Sequence, residues 1–450
     1  MAMQTLSVTV DLEKCDSHVR ASEYSVSATD VPYSATSILP TLEVEQPDTD
    51  NTFPDGGLRA WLTVAGAFLA VFCTFGQLNS FGTFQSWYAD HQLQHLPQST
   101  ISWIGSLQLW VFFFSGGFIG RLFDAYGPRV IMIPGTAILV LSIMVTSVST
   151  QYYQYVLGQG VLFGLGVGML FYPSLSAIST HFFKFRATAL GVAVAGSGVG
   201  GVVYPIMLDR LFVKVGFGWA VRISGFIALA FCAVACATVT SRLPARTRSA
   251  PNLETKIIKD TPFLLVVIGS IFISLGLFIP FFYIVEFATS RGVSATMAFY
   301  VLSVMNAGGI FGRLAPSILS DSFGRFNLIV PCAFLTGLSA LVIWIFADSL
   351  ATIMVFAIVY GFFSGAFNAL IIPCIGQISD IRAIGTRVGV LYSIISFPSL
   401  CGGPAAGALL KFSHGSYSGM IALSGSTVLV GSLFLLWARL HLDSHLRARV

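Results

Sequence analysis

The sequence predicts an all-α integral membrane protein with twelve transmembrane helices arranged as two six-helix repeats. Three observations predict it. Of 450 residues, 55% are hydrophobic and only 10% are charged, whereas soluble domains carry about 25% charge. So few charges cannot cover a water-facing surface, and lipid is the solvent that removes the difficulty. Apolar runs of spanning length recur along the chain, and landmark residues of the first half return in the second at nearly one offset.

The elements follow in order. Residues 1–54 are polar, mixed in charge and rich in Ser and Thr, and read as a disordered cytosolic tail. No short apolar core with a cleavage site precedes the first long run, so no signal peptide is expected. A spanning helix needs about 20 mostly apolar residues. Six such runs are expected at Ala60–Phe84, Ile101–Phe123, Val130–Ser149, Tyr155–Ile178, Ala187–Leu208 and Trp219–Val239, within an N-terminal half at 55–240. Residues 241–261 form a cytosolic linker carrying Arg242, Arg246, Arg248, Lys256 and Lys259. Six further runs, Pro262–Val285, Ala295–Leu319, Leu328–Ala347, Leu350–Gln377, Val388–Leu410 and Met420–Leu440, make a C-terminal half at 262–440. Residues 441–450 are a second cytosolic tail.

Charge placement sets the orientation, because Lys and Arg concentrate on the cytosolic side of a membrane. Of the 24 Lys and Arg, only Arg210, Lys214, Arg222, Arg291 and Lys411 fall outside when both termini are cytosolic. An odd number of spans would put the two basic termini on opposite faces. The net charge of +4 gives no broad basic field, so no nucleic-acid partner is expected. Six of the seven cysteines lie in apolar runs, where cysteine is a small hydrophobe, and none of the seven histidines lies well inside one. No metal site and no cofactor are expected. Gly196-Ser-Gly198-Val-Gly200-Gly201 lacks the preceding strand of a nucleotide fold and reads as packing or hinge glycines. With no phosphate loop and no nucleophile turn, the chain is not expected to be an enzyme.

The repeat is visible residue by residue. Asp124 and Gly127 after the second span match Asp321 and Gly324 after the eighth. Pro173, Gly191 and Pro205 match Pro373, Gly389 and Pro404. The segment from Gly120 through Asp124 and Gly127 to Arg129 resembles the G-x-x-x-D-x-x-G-x-R loop of the major facilitator superfamily. That resemblance implies the major facilitator fold, with the solute path between two halves that rock about it. Gly120, Asp124, Gly127, Arg129, Asp321 and Arg325 are then expected to latch the halves, a carboxylate at a helix N-terminus or an arginine supplying the attraction.

A narrower resemblance is carried by two segments. Asp55-Gly56-Gly57-Leu-Arg-Ala-Trp61 precedes the first span. His181-Phe-Phe-Lys184-Phe-Arg186 enters the fifth, followed by Gly191 and Gly196. These resemble the two signatures of the monocarboxylate transporter family, with departures at His181, Phe185 and Thr188 and an extra residue before Trp61. The same resemblance lays Arg313, in the eighth span, over an arginine that binds the substrate carboxylate. The family's acid one turn earlier is Gly309 here, and the lysine expected in the first span falls at about Asn79. Both departures put lactate–proton symport in doubt.

Intramembrane polar groups are costly and mark candidate sites. The expected substrate-binding set is Asn79, Tyr172, Tyr283, Asn306, Arg313 and Asn368, with Glu286 as the candidate for coupling to protons. The expected function is secondary active transport of a small organic molecule, a monocarboxylate or related organic acid. Export of a fungal secondary metabolite is the alternative, and a non-transporting nutrient sensor is the alternative of a different class. The expected setting is the plasma membrane, where the chain works as a monomer among lipids.

Overall fold

A computed structural model describes residues 55–242, 260–443 and 445. The tail expected over 1–54 and most of the linker lie outside the described residues. Among the described residues, twelve long helical stretches make up the bundle. The N-terminal six are α1 (Leu58–Asp90), α2 (Thr100–Tyr126), α3 (Pro128–Val148), α4 (Tyr152–His181), α5 (Arg186–Val215) and α6 (Phe217–Thr238). The C-terminal six are α7 (Thr261–Ser290), α8 (Ala295–Phe323), α9 (Arg325–Phe346), α10 (Leu350–Gln377), α11 (Ile381–Phe412) and α12 (Ser418–Leu442). Among the described residues, 11 of these are long and apolar enough to span on length and composition alone. The remaining one, α8, runs for 29 residues and carries Asn306 and Arg313.

Most helices run past the expected apolar stretches, because polar end turns stay helical until a cap stops them. Gly127, Gly216 and Gly324 adopt φ of +77°, +79° and +99°, a region glycine enters without penalty, and each ends one helix directly before the next.

Three helices break along their length, and side chains take up the freed carbonyls, as a backbone away from water requires. Ser80 interrupts α1 and donates to Gly76 O at 2.7 Å. Phe278 interrupts α7, where Tyr360 of α10 donates to Leu277 O at 2.8 Å. Ser115 interrupts α2 and donates to Phe112 O at 2.9 Å. In α4 a π-helical turn, Val156–Leu162, presents Gln159, which accepts from Tyr88 Oη at 2.7 Å.

Packing within the halves is tightest for α5 on α1 and α8 on α10. Between the halves, α5 lies on α8 and α2 on α11. The end where α1, α5 and α11 begin and α2, α8 and α10 finish is called the basal end below.

Candidate functional site

At the basal end two carboxylates join the halves in matching fashion. Asp124, in the last turn of α2, accepts from Gly385 N at 3.0 Å, Thr386 N at 2.7 Å and Thr386 Oγ1 at 2.6 Å. These N–H groups open the α-helical run of α11 and have no partner within their own helix. A carboxylate there gains from the helix dipole as well as the hydrogen bonds. Asp321, at the end of α8, likewise accepts from Ala187 N at 3.1 Å and Thr188 N at 2.8 Å, at the start of α5. Gly120 allows the approach of α2 to α11, since a Cβ there would collide with the Gly385 carbonyl. Arg325 lies 3.6 Å from Asp321 and donates to Phe183 O across the halves at 2.6 Å. Arg129 is exposed and donates to Ala237 O of α6 at 3.1 Å, within its own half. The dipole of a helix, not this arginine, meets Asp124.

The two signature segments touch each other. Asp55 accepts from Phe183 N at 2.6 Å and Lys184 N at 2.8 Å, and the Trp61 ring meets the edge of Phe182 at 5.4 Å. Gly56 and Gly57 make the turn between Asp55 and α1, Gly57 at φ +91°. Lys184 lies over the Phe185 ring at 5.4 Å. Arg186 is buried and satisfied: its guanidinium donates to Phe182 O at 3.0 Å, Ser179 O at 3.3 Å and, across the halves, Gly376 O at 2.7 Å. The last carbonyl belongs to the final turn of α10, where a cation is favoured. Gly191 packs on Ser317 of α8, and Gly196 on the Phe68 carbonyl of α1.

Above the latch, α2 and α11 form a close seam. Gly116 faces the Gly389 carbonyl at 3.1 Å from a built Cβ. Ser393 of α11 keys into the break of α2: its hydroxyl accepts from Gly117 N at 2.8 Å and donates to Phe114 O at 2.7 Å. Tyr172 of α4 completes the break by donating to Phe112 O at 3.1 Å and Phe113 O at 3.3 Å. Its ring stands 5.5 Å from Tyr392 of α11, within an aromatic group that includes Phe112, Phe113 and Phe171. Phe75 of α1 joins this group through Phe112 and Phe171.

On the other seam the chemistry differs. Arg313 of α8 is only 8% exposed, yet its Nε and Nη1 have no hydrogen-bond partner. A buried cation without a counter-charge costs several kcal/mol relative to one that is paired, roughly 3–5 kcal/mol when a pair is broken. Nη1 lies against Gly198 of α5. Asn306 lies two turns from Arg313 on the same face of α8, since seven residues complete nearly two turns. Over Gly201 of α5, a built Cβ would stand 2.7 Å from Asn79 Nδ2 and 3.4 Å from Asn306 Oδ1. Asn79 and Phe75 are four apart on α1 and share a face, so Asn79 lies one turn from the residue that joins α1 to the aromatic group.

Of the expected substrate residues, Asn79, Asn306 and Arg313 are therefore brought together along α5. Tyr172 belongs to the aromatic group beside them. Tyr283 ties α7 to α11 by donating to Gly403 O at 3.0 Å. Asn368 donates to Ser364 O of its own helix at 3.1 Å. Glu286 is exposed near the non-basal end of α7. The residues that sequence reasoning missed are Ser393, whose only signal was a hydroxyl in an apolar run, and Gly198 and Gly201, whose positions beside polar side chains no glycine pattern reveals.

The geometry defines a class: a membrane bundle of two like halves, joined at one end by helix-capping carboxylates and holding a buried guanidinium with unbonded nitrogens between the halves. The chain belongs to the Major Facilitator Superfamily, whose sequence profile matches residues 67–349. It is therefore a multi-pass membrane transporter and not an enzyme. It is 41% identical to the MFS transporter asaE of Aspergillus flavus over 398 residues, 88% of this chain and 89% of the relative. It is 38% identical to the aspyridones efflux protein apdF of Emericella nidulans over 393 residues, 86% of this chain and 79% of the relative. The fold matches the crystal structure of the human organic anion transporter MFSD10 with a TM-score of 0.67 at 15% identity, over 84% of this chain and 98% of that one.

Proposed function

We propose that the chain is a secondary active exporter of small organic acids, natural products with a ring among them, moved by alternating access between its halves. The observation that carries this reading is Arg313, a buried guanidinium with unpartnered nitrogens on the seam between the halves. A planar guanidinium pairs with a carboxylate bidentately, so an acidic solute supplies a counter-charge that none of the described residues provides. Asn79 and Asn306 offer further hydrogen bonds, and the aromatic group beside them suits a ring. Likeness to a protein named for efflux of aspyridones supports the outward direction. The monocarboxylate-type signatures support an acid as cargo.

With both termini taken as cytosolic, the basal end faces the cytosol, and the capping carboxylates hold that end together. Inward opening separates Asp124 from α11 and Asp321 from α5, exposing Arg313 to a cytosolic acid. Reclosing the latch behind the bound acid commits it to the outer side. Protons are the candidate driving ion, with Glu286 as the candidate carrier, in a monomer at the plasma membrane. The test is flux through proteoliposomes of purified protein, using labelled monocarboxylates and larger aromatic acids with and without a proton gradient. Saturable acid flux that falls at least tenfold in Arg313→Gln is expected. Equal flux in the two proteins would remove Arg313 from the site, and a preference for neutral solutes would reject the acid reading.

A further inference from the structure

The glycines of α5 divide into two sets by what a side chain at each would meet. At Gly196 and Gly200 a Cβ would strike the backbone carbonyls of Phe68 and Phe72 on α1. Neither carbonyl can move without breaking α1, so these two glycines serve helix packing. At Gly198 and Gly201 a Cβ would strike side chains first: the Arg313 guanidinium and Ile310 at the first, with the Asn306 carbonyl at an ordinary 3.5 Å, and the Asn79 and Asn306 amides at the second. One helical stripe therefore has two jobs on two faces, and the second face meets the buried Asn306 and Arg313 and the half-buried Asn79.

We propose that Gly198 and Gly201 form the bare backbone wall of an oxyanion subsite, and that they are positioning residues for Arg313 and the amide pair. This rests on the acid reading above and deepens it. Without a Cβ at Gly198, Arg313 Nη1 comes directly against α5, with Nε and Nη1 left unbonded. Without one at Gly201, Asn79 and Asn306 reach the same point from α1 and α8. The ligand that fits is the flat edge of a carboxylate borne on a planar ring. It needs two in-plane acceptors for the guanidinium and no branching beside the acid that would strike α5. The ring then lies toward Phe75, one turn from Asn79 on α1.

The test needs neither flux nor a known cargo. In a chain with Cys15→Ser and Cys401→Ser, cysteine is introduced as Gly198→Cys, Gly201→Cys or Gly200→Cys. Each full-length protein, in lipid nanodiscs, is treated with a methanethiosulfonate bearing a sulfonate and with one bearing an ammonium group. Rates are divided by those of a free thiol. Gly198→Cys and Gly201→Cys are expected to react, with the sulfonate reagent favoured at least tenfold, and Gly200→Cys is expected to stay unreacted. Adding Arg313→Gln is expected to bring the preference close to the free-thiol ratio. A preference that survives Arg313→Gln overturns the proposal, as does silence at both Gly198→Cys and Gly201→Cys in protein that elutes as a folded monomer. A chain that later proved to import its solute would still give the expected labelling, so the two readings fail separately.

Discussion

The helices α2 and α8 are one element written twice, and they part company halfway along. At the basal end they agree in their backbone caps. Asp124 caps α11 at Gly385 and Thr386, and Asp321 caps α5 at the corresponding Ala187 and Thr188. Further into the membrane α2 breaks at Ser115, and Tyr172 and Ser393 take up its loose carbonyls. At the same depth α8 stays helical and presents Arg313 with two unbonded nitrogens. The two seams share a capping carboxylate and differ further in: the α2–α11 seam satisfies the carbonyls at its break, while the α5–α8 seam leaves two guanidinium nitrogens unbonded. A satisfied buried group stabilises one state, whereas an unsatisfied one stabilises whatever brings its partner.

The largest effect should come from the unsatisfied side. Arg313→Gln is expected to weaken acid transport about 10- to 100-fold, the loss of a charged hydrogen bond of about 1.5–3 kcal/mol. The thermal midpoint of the unliganded protein should not fall, because an unpaired buried charge is removed. Arg186→Gln is the control, since that guanidinium bonds three carbonyls and its loss should lower the midpoint. If both variants destabilise alike, Arg313 is a structural cation and the contrast between the seams disappears.

Gly309→Asp sharpens the same point. A Cβ at Gly309 would stand 3.5 Å from Arg313 Nη1 and 3.4 Å from the Gly361 carbonyl, ordinary contacts that admit a side chain. The new carboxylate would give Arg313 an internal partner. Transport of acids should then fall severalfold while the thermal midpoint rises, since breaking such a pair costs about 3–5 kcal/mol and forming it recovers part of that. Acid transport at the wild-type rate would mean that the guanidinium does not meet the cargo.

Much of this was legible in the sequence. The spans followed from apolar length, and Gly127 and Gly324 stopped helices where the pattern placed them. The repeat of Asp124 and Asp321 announced two latches, and Arg313 stood out as a charge in an apolar run. What could not be read was tertiary. Arg129 was an equally good partner for Asp124 on spacing alone, but it reaches Ala237. The breaks at Ser80, Ser115 and Phe278 depend on hydroxyls arriving from the same turn or from other helices, as at Leu277 and Phe114. The glycines of α5 share one composition and differ only in what faces them, which needs the neighbours α1 and α8 in place.

The shared latch should respond symmetrically. Asp124→Asn and Asp321→Asn each remove a charge from a helix N-terminus while keeping the shape, a loss of about 0.3–2 kcal/mol apiece. Each should move the population toward the state with the basal end open by a similar factor. The measure is the spin-label distance between the basal ends of α2 and α11 and between those of α5 and α8. The double variant should open further, by about the sum of the two energies, because the caps sit on separate helix pairs. A response confined to one variant would show that the repeat is symmetric in form only.

The smallest effect belongs to Ser393. Ser393→Ala leaves Gly117 N and Phe114 O without their bridging hydroxyl at the break of α2. Interhelical hydrogen bonds in membranes are worth about 0.6 kcal/mol on average and up to about 1.7 kcal/mol. The variant should therefore loosen the α2–α11 seam by less than either latch variant and leave acid affinity untouched, since Arg313 lies on the other seam. Amide exchange at Phe118 and Gly117 should quicken, while the affinity for an aromatic acid stays within twofold of wild type. Weaker acid binding in Ser393→Ala would tie the α2 break to the site itself, and the division of labour between the seams would then have to be redrawn with α2 as part of the binding wall.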